Sequence, residues 1–434
     1  MVIQRLIWSE ISEKDKDRLL RRSETDIEEI IPKVQEICYA VKSKGDAALR
    51  QFTLDFDKAD ISGFPISVTE EEFDQAEAEL PADLKKAIQR AVENVKKFHI
   101  TQVPEKMGFS EVTSGIFAGE RATPIESVGL YVPRGRGSFP SMLYMLAVPA
   151  AIAGVPSISV ATPPDSRGKV DPACLYAARI CGVTNVYRIG GAQAIAAFAF
   201  GTETVEKVVK IEGPGSRFIA AAKRVVSPII NTGMPAGPSE SIILADSTAA
   251  PYLVAKDLII EAEHGEDSSA LLVTDSSELA AEVTAKLPGL ISGLPETRKN
   301  FVASVLGNYG GIIQAASMEE ACSIVNLFAP EHLQIAVEDD FDVLEKITEA
   351  GEILLGQNTP FSLANYATGP NAVLPTGAAA KTYSAVSVRN FIKYSSVIRA
   401  SAQGRKALTE TVKRIAEYEG FAAHALSLDN RDGK

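Results

Sequence analysis

From about residue 127 onward, short β-branched runs alternate with segments long enough to hold a helix. The runs fall at 128–132, 157–161, 186–189, 208–211, 241–245, 270–274, 333–337 and 352–355. Strands joined by helix-length crossovers pair in parallel, so this pattern predicts an α/β architecture built on parallel sheets. Residues 24–99 read instead as mainly helical. Ile27, Ile30, Ile31, Val34, Ile37, Cys38 and Val41 form one apolar stripe at helical spacing, and Pro81-Ala82-Asp83 opens a second helix. His99 falls beside that second helix's apolar face with no carboxylate neighbour, and reads as structural. Gly/Pro stretches at 213–215 and 233–238 break the rhythm, and the second is the best candidate for a crossing between domains. After about Phe391 the pattern predicts a helical tail, with Ala407, Leu408, Val412 and Ile415 at helical spacing.

Composition narrows the partners. Hydrophobic residues make up 46% of the 434, which fits a globular chain with a sizeable core. A formal charge of −12 argues against nucleic acid or an anionic membrane surface as the main partner. The amino-terminal segment reaches the charged run 13–18 without an apolar stretch, so no signal peptide is expected, and no uncharged apolar run is long enough for a membrane span. Cys38, Cys174, Cys181 and Cys322 lack CxxC spacing and read as reduced, mostly buried thiols of a cytoplasmic protein.

Histidine is used sparingly: there are four, and three stand in carboxylate-rich contexts. Glu261 and His264 are spaced i, i+3, so on a helix both face one way and can grip one ion. A lone Glu-x-x-His is a weak signal, however, and no second copy and no HExxH accompanies it. Glu331 and His332 follow Pro330 at a turn before a predicted strand. They read as an acid/base pair, with a buried salt bridge as the plain alternative. His424 follows Glu419 in the third context.

Two glycine-bearing junctions complete the set. Residues 132–140 (VPRGRGSFP) lie between a strand and a predicted helix, where Pro140 suits the first turn and Ser138 its cap. Backbone N–H groups there, with Arg134 and Arg136, suit an anion such as a cofactor pyrophosphate or an acidic substrate; a tight turn with solvated arginines is the alternative. Residues 190–197 (GGAQAIAA) make a similar junction. Neither matches GxGxxG.

Together these segments resemble histidinol dehydrogenase. The matching stretches stand in order as VGLYVP (128–133), GGAQAIAA (190–197), EGPG (212–215), MPAGPSE (234–240), EAEHG (261–265), APEHL (329–333), NYATGPNAVLPT (365–376) and EGFAAH (419–424). The resemblance implies two incomplete Rossmann-like α/β domains with parallel sheets, plus small helical N- and C-terminal extensions. In these numbers that is an extension over 1–24, a first α/β domain from 25–104 with 237–385, a second over 105–236, and a C-terminal extension over 386–434. It implies a cytoplasmic homodimer that uses Zn2+ and NAD to oxidise L-histidinol to L-histidine through the aldehyde, in histidine biosynthesis.

Carried over residue by residue, Glu261, His264, Asn365 and His424 would hold the zinc, with His424 supplied across the dimer. Glu331 and His332 would transfer protons. Ser239 and Glu419, with His332 and the zinc-ligand positions, would contact the substrate, and Tyr131, Gln193 and Ser216 the dinucleotide.

The chain departs from the family pattern at informative places. Members usually have Gln at the position of Glu261 and Asp at that of Asn365. The two changes exchange a carboxylate and an amide between two ligands of one ion and keep its ligand charge at −1, which reads as a compensated swap. Arg134-Gly135-Arg136 replaces Gly-Gly-Lys, Ser216 replaces an Asn, and Ala372 replaces a His. These leave open a paralogue acting on another small polar or anionic alcohol, and a non-catalytic ligand-binding member as a reading of a different class.

Overall fold

The computed structural model describes residues 3–22, 27–134, 137–183, 185–429 and 431. Its strands are β1 (Arg5–Ile7), β2 (Met107–Thr113), β3 (Ile116–Pro124), β4 (Ser127–Tyr131), β5 (Ser157–Ala161), β6 (Asn185–Tyr187), β7 (Lys210–Glu212), β8 (Glu240–Ala245), β9 (Ser269–Thr274), β10 (Gly311–Gln314), β11 (His332–Ala336), β12 (Glu352–Leu355) and β13 (Ile392–Ala400). They form a six-stranded sheet in the order β1-β10-β9-β8-β11-β12, a four-stranded sheet in the order β6-β5-β4-β7, and a three-stranded sheet in the order β13-β3-β2. The first two are wholly parallel, as the alternation predicts.

Both parallel sheets are covered on their two faces, which is why their strands read as unbroken apolar runs. In the six-stranded sheet, Ile242, Leu244, Leu271, Val273, Leu333 and Ile335 enter one core. Their alternate neighbours Ile243, Ala245, Ala270, Leu272 and Ala336 enter the other, with the helix Pro251–Ala262. Strand period 2 therefore puts His332 and Gln334 on the face of that helix. Gln334 there donates to Asp257 of the helix at 3.0 Å.

The helices Ile27–Lys44 and Asp46–Asp57 pack on one face of the four-stranded sheet, and Glu70–Glu79 and Ala82–His99 on the other. The helix Ala82–His99 also meets the segment around 367–373: Ala367, Ala372 and Val373 join its apolar core, Asn94 donates to the Ala367 carbonyl at 2.9 Å, and Asn371 meets His99 at 3.3 Å. His99 is fully buried and bonds Gln102, in keeping with a structural role. The segment 233–238 carries the chain from the four-stranded to the six-stranded sheet.

Three expectations are corrected. The tail after Phe391 begins as a nine-residue strand, β13, and becomes helical only at Ala402–Tyr418. The amino-terminal extension contributes β1 to the edge of the six-stranded sheet as well as the helix Glu13–Arg21. Ser138 does not cap the helix Pro140–Ala153; Phe139 holds that position, and the Ser138 hydroxyl lies 3.6 Å from the Cys174 sulfur. All four cysteines are buried free thiols. Among the described residues, no helix is long and apolar enough to cross a membrane.

Candidate active site

The chemistry-bearing residues of the six-stranded half gather at the amino ends of its strands. Ser239 and Glu240 enter β8, Glu331 and His332 enter β11, and Glu352 opens β12. Facing them is the carboxyl end of the helix Pro251–Ala262, which carries Glu261 in its last turn and His264 just beyond. The aligned peptide dipoles of a helix leave partial negative charge at that end, so it favours a cation. The short helix Phe361–Tyr366 adds Asn365.

Two linked groups result. In the first, Asn365 Nδ2 donates to Glu261 Oε1 at 2.7 Å, and His264 Nδ1 lies 3.1 Å from Glu261 Oε2 and 2.9 Å from the Ser239 hydroxyl. Glu261 is fully buried, with Oε1 taking the Asn365 hydrogen bond and Oε2 facing the His264 ring. Burial works against its charge, yet His264, His332 and the hydrogen bond from Asn365 hold its carboxyl below the ordinary carboxylate range. A buried ionised carboxylate beside an imidazole and an amide is a donor set that fits a divalent cation. Among the described residues no three His, Cys, Asp or Glu side chains group to hold a metal; the third donor here is the Asn365 amide.

In the second group, Glu331 Oε2 accepts from the Glu240 backbone N–H at 2.9 Å and stands 3.8 Å from His332 Nε2. His332 Nδ1 meets Glu352 Oε1 at 2.7 Å, and the ring packs edge-on to Phe361. Burial pushes the Glu331 carboxyl well above its ordinary value, with Glu261 and Glu240 adding to the effect. Burial opposes charge on His332 as well, but the carboxylates of Glu331, Glu261 and Glu352 outweigh it and raise its pKa to about 10. Buried, strongly perturbed and mutually coupled acid and base groups are the usual material of proton transfer.

The dinucleotide candidates occupy the other sheet. Tyr131 ends β4, and its hydroxyl accepts from the Gly191 N–H at 3.2 Å. Gln193 sits in the first turn of the helix Gly191–Phe200, fully buried, with neither amide atom hydrogen-bonded. Ser216 is the residue before the helix Arg217–Val226, and its hydroxyl makes no capping bond. All three lie at the carboxyl ends of parallel strands, where open α/β sheets bind their ligands. Arg134 belongs to this end, since its charge acts on Asp57, which in turn acts on Tyr131. Burial raises Asp57 to about 6. Arg136 lies outside the described residues.

Glu419 and His424 are not brought to either group. They lie on the C-terminal helical segment, exposed, with the His424 ring 5.1 Å from that of Phe421. Reading the sequence missed Glu352, Glu240 and Asp57. Glu352 stands 20 positions from its partner His332, and only the pairing of β11 with β12 brings them together; no local motif marks it.

Comparison with known proteins shows the family. A family model described as histidinol dehydrogenase matches residues 20–432. The histidinol dehydrogenase of Synechocystis sp. is 48% identical over 98% of this chain and 98% of its own. A histidinol dehydrogenase homolog from Cereibacter sphaeroides is 50% identical over 96% of each chain. The crystal structure of histidinol dehydrogenase from Elizabethkingia anophelis superposes with a TM-score of 0.92 at 36% identity, covering 98% of this chain and 97% of that one.

Proposed function

Because the chain belongs to the histidinol dehydrogenase family, an oxidoreductase family, we propose that it oxidises L-histidinol to L-histidine with NAD as hydride acceptor and zinc as resident metal. The observation that carries the reading is the buried Glu331–His332 pair set against the Glu261, His264 and Asn365 donors. A cation on Glu261 would offset one of the carboxylates that favour the protonated His332 ring, and the neutral ring then takes the hydroxyl proton at Nε2 as a hydride leaves the carbinol carbon for one NAD. Water then adds to the aldehyde, giving its proton to the coupled Glu331–His332 pair, and a second hydride passes to a second NAD, leaving the carboxylate. Glu261, His264, Asn365 and, from a second copy of the chain, His424 would hold the zinc, which would supply Lewis acidity and a fixed point for the amino alcohol. Ser239 and Glu419 orient the substrate, while Tyr131, Gln193 and Ser216 take the dinucleotide, with Arg134 beside its phosphates.

A homodimer is part of the proposal. Every residue of β2 is exposed in the single chain, and Phe109, Ile398, Tyr418, Phe421 and Leu426 present apolar surface on the three-stranded sheet and the tail that follows it. Apolar surface of that kind is what a partner covers. The buried free thiols suit the reducing cytoplasm.

A second reading keeps the reaction and changes the alcohol. Glu261, Asn365 and Ala372 depart from the family pattern, and relatives at 47–50% identity carry the name histidinol dehydrogenase homolog. The placement of Arg134 with Tyr131 and Asp57 weighs for a cofactor role rather than an anionic substrate. NADH absorbance with zinc-loaded protein and L-histidinol tests the choice. Turnover supports the first reading; none, with turnover of another small polar alcohol, supports the second.

A further inference from the structure

We propose that Glu352 is the positioning residue of the His332 base and determines which ring nitrogen meets the alcohol. The inference rests on the reading of Glu331 and His332 as the proton-transfer pair. Glu352 and His332 are opposite each other in the β11–β12 register, each the first residue of its strand. Their side chains meet at 2.7 Å, both nearly out of water. An ionised carboxylate only accepts, so this contact requires the hydrogen on Nδ1. In the neutral ring Nε2, on the Glu331 side, is then the atom left free to take up a proton. An acid that orients a histidine for its partner is the general form of an activated base.

The backbone of Gly351 and Glu352 clamps the turn that carries the pair. Glu352 N–H donates to the Glu331 carbonyl at 3.0 Å, and Gly351 N–H to that of Pro330 at 2.9 Å. A Cβ on Gly351 would stand 2.5 Å from the Glu331 oxygen, so the close approach of β12 needs glycine there. Residues 351–352 thus hold the main chain of Glu331 and the side chain of His332 together. The edge of Phe361 packs against the imidazole, 5.9 Å between ring centres.

The test is Glu352→Gln, which keeps shape but offers an amide that accommodates either tautomer. With the alcohol that the wild-type protein oxidises, kcat should fall by about a hundredfold or more, with KM changed by less than about twofold. Glu352→Asp should recover part of the loss. A readout independent of turnover comes from protein labelled with 15N-histidine, which has only four such residues. A downfield proton on His332 Nδ1, identified by its absence in His332→Asn, should vanish in Glu352→Gln. Unchanged kcat, or a proton signal untouched by Glu352→Gln, overturns the proposal. A signal that behaves as expected in protein that oxidises no alcohol overturns the role of His332 as base, and with it the catalytic part of the inference.

Discussion

The Arg22 guanidinium lies 3.2 Å from the Glu240 carboxylate, with both side chains almost wholly out of water. It also covers the Phe328 ring at 3.6 Å. Glu240 is the residue whose backbone N–H holds Glu331, so the end of the amino-terminal helix braces the proton-transfer pair from behind. Removing one partner of a buried pair leaves the other charge uncompensated. Arg22→Ala should destabilise the protein by about 3–5 kcal/mol in urea unfolding, and Arg22→Met with Glu240→Gln by clearly less. Equal losses in the single and double variants would show that the cost of Arg22→Ala does not come from an uncompensated Glu240 charge.

Gln193 is a fully buried amide with no hydrogen-bond partner among the described residues. An unpaired buried polar group costs about 1–3 kcal/mol, so Gln193→Met should leave the melting temperature unchanged or raise it. The same substitution should raise KM for NAD if the amide is kept for the dinucleotide. A lower melting temperature with unaltered KM would assign Gln193 to the scaffold instead.

Glu261 and Asn365 touch through a 2.7 Å hydrogen bond, as two ligands of one ion would. Glu261→Gln leaves two amides and Asn365→Asp two carboxylates, so each single variant alters the ligand charge and should lose zinc. The double variant restores the sum and should recover it. Zinc content of the three purified proteins decides the matter, and full zinc in either single variant contradicts the compensated swap.

His424 and His332 reside on distant parts of one chain, and the proposal joins them across a dimer. His332→Ala and His424→Ala should each be inactive alone. Subunits mixed at random from the two should regain about a quarter of wild-type activity, because each mixed dimer holds one intact site. No recovery from demonstrably mixed dimers would place all ligands in one subunit.

What could be read from residues alone follows from where side chains face. The strands at 128–132 and 270–274 were legible because both faces are buried and the run is continuously apolar. β2 and β13 were not, since most of their side chains face out of the chain and no apolar alternation marks a core. β1 spans three residues and gains its place only by pairing with β10, some 300 positions away. In the site, Glu331-His332 and Glu261-x-x-His264 announce themselves by local spacing. Glu352 and Glu240 enter through strand register, which no local motif encodes.

The most direct test of the account counts NADH formed per L-histidinol consumed by zinc-loaded protein. One site that performs both oxidations predicts two NADH and L-histidine as the product. One NADH with accumulating aldehyde, or none from protein that holds its zinc, would contradict it.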